Sequence, residues 1–304
     1  MDEAILKIIF VGLDNSGKTS ILYTLEGKFA KIANIKPTIR FTRTDFTILG
    51  LPIKIWDLGG QEQYRKEYLS SEKFFRDTDL LFYVIDIQDK HRFTESVEYF
   101  LNILEVFEKI DPNNYPHIEI LIHKSDPYIR DLPDMKNNVV TLKSLFSELA
   151  SQIDITYHET SVFDFESLSR AFVHGVLKVL PKGEIIQEVL HDFLLKTGSN
   201  AIMLLDENVL LIGEVYLDEI SKNICHICGP YFANMAEKLR DYNLFTPETI
   251  EVEMAGWLFY KRIKHQKSQF YLIFFTKNYD NFQKINELLP AFTEDIISLI
   301  KYII

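Results

Sequence analysis

The sequence predicts an α/β fold, a mostly parallel sheet with helices on both faces, followed by a second domain of the α+β kind. Three observations carry that expectation. A glycine-rich turn, Gly12-Leu13-Asp14-Asn15-Ser16-Gly17-Lys18-Thr19, lies between a short apolar run and a helical pattern. Further apolar runs with continuous hydrophobic centres recur through the first half, separated by amphipathic stretches, as buried parallel strands require. After Pro181-Lys182-Gly183 the pattern changes to clustered strand signals framed by helices. The domain boundary is therefore expected there, with residues 1–182 as the first domain and 183–304 as the second.

The turn fits the spacing G-x-x-x-x-G-K-[ST] without a gap, and both flanks suit it. Ile5 to Val11 reads as a buried strand, and Ser20 to Gly27 as a helix ending at glycine. Strand, glycine-rich turn and helix form a phosphate-binding loop, in which successive backbone N–H groups point inward at a polyphosphate. The helix start adds unpaired N–H groups and its positive dipole end. The expected phosphate-binding residues are Asp14, Asn15, Ser16, Gly17, Lys18, Thr19 and Ser20. Lys18 reaches the β- and γ-phosphates, and the Thr19 hydroxyl ligates Mg²⁺.

Residues 28–45 read as a loop around Lys36-Pro37-Thr38-Ile39, because Pro37 keeps its predecessor extended. Downstream of a phosphate loop, Thr38 becomes a second hydroxyl candidate for Mg²⁺. Phe41 to Leu49 and Ile53 to Trp56 read as a hairpin with Gly50-Leu51-Pro52 near its turn. The second of these strands runs into Trp56-Asp57-Leu58-Gly59-Gly60-Gln61. Asp57 at the end of a buried strand is the expected holder of Mg²⁺ through a water. Gly60 brings a backbone N–H to a γ-phosphate with no Cβ in the way, and Gln61, the expected catalytic residue, orients the attacking water.

These three segments resemble the Ras-superfamily small GTPases, and the wording Leu13-Asp14-Asn15 and Trp56-Asp57-x-Gly59-Gly60-Gln61 resembles the Arf branch. Arg40 stands where Arf proteins usually carry glycine. It follows Thr38 rather than preceding it, so it reads as a solvated loop charge and not as an arginine finger.

Asp79 to Asp86 is the next buried strand, and Phe93 to Lys109 an amphipathic helix whose Phe93, Val97, Phe100, Leu101, Leu104 and Phe107 are expected to form a core stripe. Ile118 to Ile122 is a strand that delivers His123-Lys124-Ser125-Asp126. By resemblance to the Asn-Lys-x-Asp motif, Asp126 accepts two hydrogen bonds from guanine and so selects it over adenine. The Lys124 stem packs along the base and ribose. His123 in place of Asn is the form carried by Rag and Gtr GTPases; it is expected to weaken one loop-tethering contact. Leu142 to Ser151 reads as a helix and Ile153 to His158 as a strand. The following Thr160-Ser161-Val162-Phe163-Asp164 resembles the last guanine-contact loop, with the Val162 N–H offered to the base and Ser161 shaping the turn. Ser167 to Leu180 closes the first domain as a helix.

The second half carries no nucleotide motif. Its order reads as a helix at 185–196, a hairpin at 201–215, a helix at 217–239 broken or kinked near Gly229-Pro230, three strands between 250 and 276, and a helix at 282–303. This order resembles a roadblock (longin-related) domain, which follows the GTPase domain in Rag and Gtr proteins and pairs with a related chain. The resemblance implies a homodimer or a heterodimer with a related GTPase or roadblock protein. The aromatic strand Phe270 to Phe275 is expected to be a central sheet strand that faces core or a dimer partner. Cys225-His226-Ile227-Cys228 has the Cys-x-x-Cys spacing of redox or zinc sites, but no second pair completes a zinc site, and a partly buried core position is expected.

Composition bounds the rest. The 304 residues are 47% apolar and 25% charged, as in a folded protein, and the net charge is −11. That acidity argues against a nucleic-acid binder, whose phosphate contacts need clustered Lys and Arg. No apolar run approaches the roughly 18 residues of a membrane span. Asp2 offers no site for N-myristoylation and the Tyr302-Ile303-Ile304 end no prenylation cysteine, so any membrane contact is expected to be indirect. With 2 Cys the chain suits a reducing cytoplasm. The resulting expectation is a GTP-binding switch with slow, Mg²⁺-dependent hydrolysis. A GTP-bound scaffold with negligible turnover and an Arf-type membrane-traffic switch stand as alternatives. A nucleoside-phosphate kinase or ATPase fits less well, because no arginine-bearing lid is evident.

Overall fold

A computed structural model describes residues 5–32, 35–48, 51–150, 153–180, 185–242, 244, 248–265 and 268–303. The chain divides into two compact units, Met1–Phe46 with Pro52–Val179, and Thr47–Leu51 with Leu180–Ile304.

The first unit is built on a six-stranded sheet in the order β2-β3-β1-β4-β5-β6, comprising β1 (Leu6–Val11), β2 (Phe41–Ile48), β3 (Leu51–Leu58), β4 (Leu80–Asp86), β5 (His117–His123) and β6 (Ile155–Thr160). The pairings β3·β1, β1·β4, β4·β5 and β5·β6 are all parallel. Leu51 and Pro52 lie inside β3 rather than in the turn where the sequence suggested them. Gly50 and the preceding Leu49 lie outside the described residues.

Helices α1 (Lys18–Leu25), α2 (Phe29–Ile32), α3 (Glu62–Leu69), α4 (Phe93–Ile110), α5 (Pro133–Ala150) and α6 (Phe165–Val179) complete the unit. Alternation along the strands splits the core in two. On one face, Phe10 of β1 and Phe82 of β4 stack with centroids 4.7 Å apart, and Phe172 of α6 stacks on Phe82 at 5.8 Å. On the other, Ile9, Val11 and Tyr83 pack with Phe100 of α4 and Phe146 of α5. Two helices were not expected. α2 occupies part of the anticipated loop, and α3 follows Gln61 directly, with its apolar side packed through Tyr68, buried, onto Phe74. α5 begins nine residues ahead of the expected Leu142, since its first turns carry Asp134, Lys136, Asn137 and Asn138 and show no apolar stripe.

The second unit is a five-stranded antiparallel sheet in the order β8-β7-β11-β10-β9, from β7 (Ala201–Leu205), β8 (Leu211–Tyr216), β9 (Thr249–Glu253), β10 (Trp257–His265) and β11 (Ser268–Thr276). With α7 (Ile185–Thr197), α8 (Glu219–Asp241) and α9 (Asn281–Ile303), the arrangement fits a roadblock-like domain. Helix α8 covers one face, where Met203, Ile273 and Phe275 pack with Cys225 and Ala233. On the other face Phe193 of α7 meets Phe274 at 5.6 Å and Phe292 of α9 at 4.1 Å.

One expectation is narrowed in this unit and one is overturned. Every residue from Phe270 to Phe275 is buried within the chain, because helices cover both faces of central strand β11; the strand faces core and offers no partner surface. Helix α8 runs unbroken through Gly229 and Pro230. A Cβ on Gly229 would stand 3.2–3.3 Å from Ile273 and Met203, so glycine there serves close helix-to-sheet approach. Ile224 and Phe232 turn into the core, whereas Ile220 is exposed. Cys225 is buried and Cys228 half-buried, both as free thiols, and burial pushes the Cys225 thiol up, as expected for core positions.

Candidate functional site

Strand β1 ends at Val11 and α1 begins at Lys18, so the intervening residues must turn sharply. Gly17 caps the helix at φ 98°, a left-handed conformation that glycine adopts without steric cost. The first helical bond runs from the Ile21 N–H to the Gly17 carbonyl at 2.9 Å. By helix geometry the N–H groups of Lys18, Thr19 and Ser20 have no partner within α1 and are free for a ligand. Lys18 is 5% exposed and its ammonium curls over the turn. It donates to the carbonyls of Leu13 at 2.7 Å and Gly12 at 3.1 Å and to Ser16 Oγ at 3.2 Å. Burial lowers its pKa to about 8, against the raising influence of Asp57. An anion in the turn would be met by a cation already stripped of water.

Parallel pairing sets Asp57 of β3 opposite Phe10 of β1, which brings its carboxylate beside the turn. Thr19 Oγ1 donates to Asp57 Oδ2 at 2.6 Å, and Thr38 Oγ1 lies 3.2 Å from the same oxygen and 2.9 Å from Thr19 Oγ1. Among the described residues Asp57 Oδ1 is buried with no hydrogen-bond partner. Burial raises the Asp57 pKa, with Lys18 and the two threonine hydroxyls opposing. Two hydroxyls and a buried carboxylate with one orphaned oxygen form a hard oxygen donor set that fits Mg²⁺ directly or through water.

A pocket of about 250 Å³ opens over these groups, lined among others by Lys18, Thr19, Thr38, Gly60 and Gln61. Gly60 is pressed onto the turn: the Asp14 N–H donates to its carbonyl at 3.1 Å, and a Cβ on Gly60 would lie 2.2–2.4 Å from the backbone of Leu13 and Asp14. Gln61 sits just ahead of α3, its side-chain oxygen accepting from Gln63 Nε2 at 3.3 Å. The Gly59 N–H donates to the Arg40 carbonyl at 2.6 Å, which also accepts from the Tyr68 hydroxyl. Arg40 itself has an exposed side chain, as expected of a solvated loop charge. Its φ of 57° is one that glycine takes more readily, and its guanidinium pairs with Glu67 of α3.

One polar chain at this rim was not read from sequence. Arg92 donates to Asp14 Oδ1 at 2.8 Å and to Glu95 Oε2 at 2.8 Å, and Glu95 also pairs with Arg65 of α3. It links the phosphate loop to α3. Asp14 and Arg92 lie 78 residues apart, and no spacing rule joins them.

At the C-terminal end of β5, His123 is buried, and burial together with Lys124 lowers its pKa to about 3, which keeps it neutral. Its Nδ1 shares a 3.0 Å hydrogen bond with Thr160 Oγ1. A Cβ on Gly17 would stand 2.5 Å from His123 Cδ2, so the ring packs directly on the phosphate loop and tethers it through van der Waals contact. Lys124 takes φ 62° and pairs with Asp86 at 2.6 Å. Asp126 is buried, with Oδ1 accepting from the Ser161 hydroxyl and Oδ2 from Gln88 Nε2 at 3.3 Å and the Tyr128 hydroxyl at 3.2 Å. Ser161 is fully buried and its Oγ also accepts the Phe163 N–H at 3.0 Å, which closes the turn that carries half-buried Val162. Exposed Tyr128 and Phe163 approach at 6.2 Å beside Asp126 and form an aromatic edge absent from the sequence reading.

The Gtr1/RagA G protein conserved region matches residues 7–228. The chain is 26% identical over 218 residues to the GTP-binding protein gtr1 of Schizosaccharomyces pombe, over 70% of this chain and 69% of that one. It is 40% identical over 94 residues to ADP-ribosylation factor-like protein 3 of Chlamydomonas reinhardtii, over 31% of this chain and 50% of that one. Among solved structures, the Arl6 (BBS3) small GTPase of Trypanosoma brucei with bound GppNp aligns at TM-score 0.46 and 17% identity, covering 58% of this chain and 98% of that one.

Proposed function

The chain belongs to the Gtr1/RagA G protein family, and from that premise we propose that it is a GTP-binding switch with slow Mg²⁺-dependent hydrolysis that pairs with a related chain through its second unit. The observation that carries the reading is the meeting of Thr19, Thr38 and Asp57 beside buried Lys18. Lys18 and the backbone from Asp14 to Ser20 hold the phosphates. Thr19 and Thr38 ligate Mg²⁺ with Asp57 behind a water, and the bound ion neutralises charge on the β- and γ-phosphates. Asp126 accepts from guanine, Lys124 lies along the base, and Ser161 holds Asp126 and the Val162 turn in place. Gln61 orients the water.

The switch follows from connectivity. Thr38, Gly60 and Gln61 share one pocket, so a γ-phosphate that tethers Thr38 and Gly60 orders both loops. Gly59, Tyr68 and Glu67 already converge on Arg40, which gives the loop at Thr38 and helix α3 a common anchor. Slow turnover is supported by Arg92, whose guanidinium is engaged by Asp14 and Glu95 and so does not serve as a free arginine finger.

Extraction and chromatography of the bound nucleotide from the purified protein tests the reading. Guanine nucleotide, lost on chelation of Mg²⁺, is expected; adenine nucleotide would overturn it. For pairing, the outer face of α8 supports the proposal: Ile220, Ile227 and Tyr231 fall on one helical stripe and are 63–74% exposed. Light scattering on the full chain, alone and with a related G protein or roadblock chain, should show a pair that Ile227→Asp with Tyr231→Asp dissolves. A pair unaffected by both changes would place the interface elsewhere. No described helix is long and apolar enough to cross a membrane; the reading has the protein act in the cytoplasm and reach membranes only through partners.

A further inference from the structure

We propose that His117, Glu119 and His174 form a binding site for a divalent cation of the zinc class, with His158 orienting the carboxylate. Glu119 lies on β5, one strand in from the β6 edge of the sheet, and is fully buried. Three imidazoles from three different elements converge on it. His117 Nε2, two residues earlier on β5, is 2.7 Å from Oε1, and His174 Nδ1, from α6, is 2.8 Å from the same oxygen. His158 Nε2, from β6, is 2.7 Å from Oε2. The ligand atoms of His117, Glu119 and His174 all lie within 4.8 Å of one another.

The arrangement exceeds what neutralising one buried carboxylate requires. His158 alone occupies Oε2, while two nitrogens from separate elements aim at one point beside Oε1. In a tetrahedral site, bonds of about 2.0–2.1 Å hold neighbouring donor atoms about 3.3 Å apart. Opening the two hydrogen bonds by about half an ångström reaches that spacing. The His117 and His174 side chains are 14% and 36% exposed, so an ion can enter and water can fill a fourth position. Gly175 permits this closeness, since a Cβ there would stand 3.0 Å from Glu119 Cγ.

Two imidazoles and a carboxylate suit zinc-class ions, whereas Mg²⁺ prefers an all-oxygen shell. His158, which donates to the other carboxylate oxygen, is the kind of outer partner that orients a ligand. On binding, His117 Nε2 and His174 Nδ1 give their lone pairs to the cation, and each neutral ring carries its proton on the other nitrogen. Two hydrogen bonds break, the hydrated cation releases the waters that these ligands replace and keeps one, two nitrogen–metal bonds and one oxygen–metal bond form, and no oxidant or reductant takes part. The site is separate from the nucleotide rim: Glu119 and His123 are four residues apart on β5, roughly 13 Å at strand rise. The bound ion would clamp α6 to β5 and β6.

The test uses the full-length protein loaded with GDP in millimolar Mg²⁺, titrated with ZnCl₂ and with CoCl₂. One equivalent of Zn²⁺ should bind despite the excess Mg²⁺. The unfolding midpoint should rise by roughly 5–10 °C at a hundredfold excess over Kd. Co²⁺ should show ligand-field bands without thiolate charge-transfer absorption. His117→Gln and His174→Asn place an amide N–H near the lost ring nitrogen, so they keep the hydrogen bonds to Glu119 while removing the metal ligand. Together they should cost more affinity than the roughly 10–100-fold expected for the outer partner His158→Gln. Cys225→Ser with Cys228→Ser should leave binding intact. The proposal is overturned by folded wild-type protein that gives neither stoichiometric Zn²⁺ uptake nor Co²⁺ bands. It is equally overturned by binding that survives the histidine changes, or by thiolate bands that vanish with the cysteines.

Discussion

The two units bury polar groups for different ends. In the first, Ser16, Lys18, Asp57, His123, Asp126 and Ser161 are buried along one rim, where strands β1, β3, β5 and β6 give way to loops. Their partners are other side chains and loop backbone groups of the same rim, and Asp57 is left with an orphaned oxygen. In the second, Thr197, Ser199, Asp206, Ser221 and Thr276 are buried at element ends and close turns locally. Convergent burial costs stability unless a ligand repays it, whereas local burial completes the backbone's own hydrogen bonding. Substitutions in the first set should therefore change binding or turnover, and substitutions in the second should change stability.

The largest expected effect tests the first half of that contrast. Asp126→Asn puts an amide opposite guanine's donors and should weaken GTP binding on the order of 10²-fold or more, with xanthine nucleotide gaining. Titration against both nucleotides measures it, and unchanged GTP affinity removes Asp126 from the base site. Gln61→Leu should slow single-turnover hydrolysis by about 10²-fold with little change in GTP affinity, since the side chain acts mainly in the transition state. Equal rates in the presence of an activating partner would make Gln61 a bystander.

The second half is tested through Asp206, whose Oδ1 accepts the N–H groups of Asn208 at 2.8 Å and Leu210 at 2.9 Å in the β7–β8 turn. Burial pushes its pKa up to about 7, with these hydrogen bonds opposing and Glu207 adding to the rise. The unfolded chain ionises near the ordinary carboxylate value while the folded chain holds its proton. Stability from this group is thus present at acid pH and lost as pH rises toward and through about 7. Between pH 5 and 8 the loss should be on the order of 2 kcal/mol. Urea unfolding at both pH values reads it, and Asp206→Asn, which keeps the Oδ1 acceptor, should flatten the slope. The smallest effect belongs to Arg92→Ala. Its pairs with Asp14 and Glu95 are partly exposed, so each contributes about 0–1 kcal/mol. A few-fold change in nucleotide affinity with no shift in specificity is expected from competition binding.

Where reading the sequence fell short, the missing signal has a physical description. Helix α3, Glu62–Leu69, carries one buried residue, Tyr68, so it has no apolar period to detect. Helix α4 buries eight residues at helical spacing, so its span is legible to within one residue, although Leu101, expected in the core stripe, is exposed on its outer side. Pro230 suggested a break in α8, yet packing of Gly229 against Ile273 and Met203 holds one helix. Phe270 to Phe275 lie on a central strand as expected, but whether core or a partner covers them is not written in the strand's own residues, because it depends on the helices packed on each face of the sheet.

By itself the sequence determined the features that are local in the chain. The turn from Gly12 to Thr19, Asp57 ahead of Gly59-Gly60-Gln61 and the His123-Lys124-Ser125-Asp126 segment are short stretches whose backbone shape and chemistry are set by adjacent residues. Tertiary structure alone decided which distant side chains meet. Parallel pairing set Phe10 against Asp57, brought Thr38 and Thr19 to one carboxylate, and joined Arg92 to Asp14 across 78 residues. It also gathered His117, His158 and His174 around Glu119 from a strand, its neighbour and a helix 55 residues away. Such meetings depend on strand order and register, which emerge from the summed burial of the whole sheet rather than from any segment's own propensity.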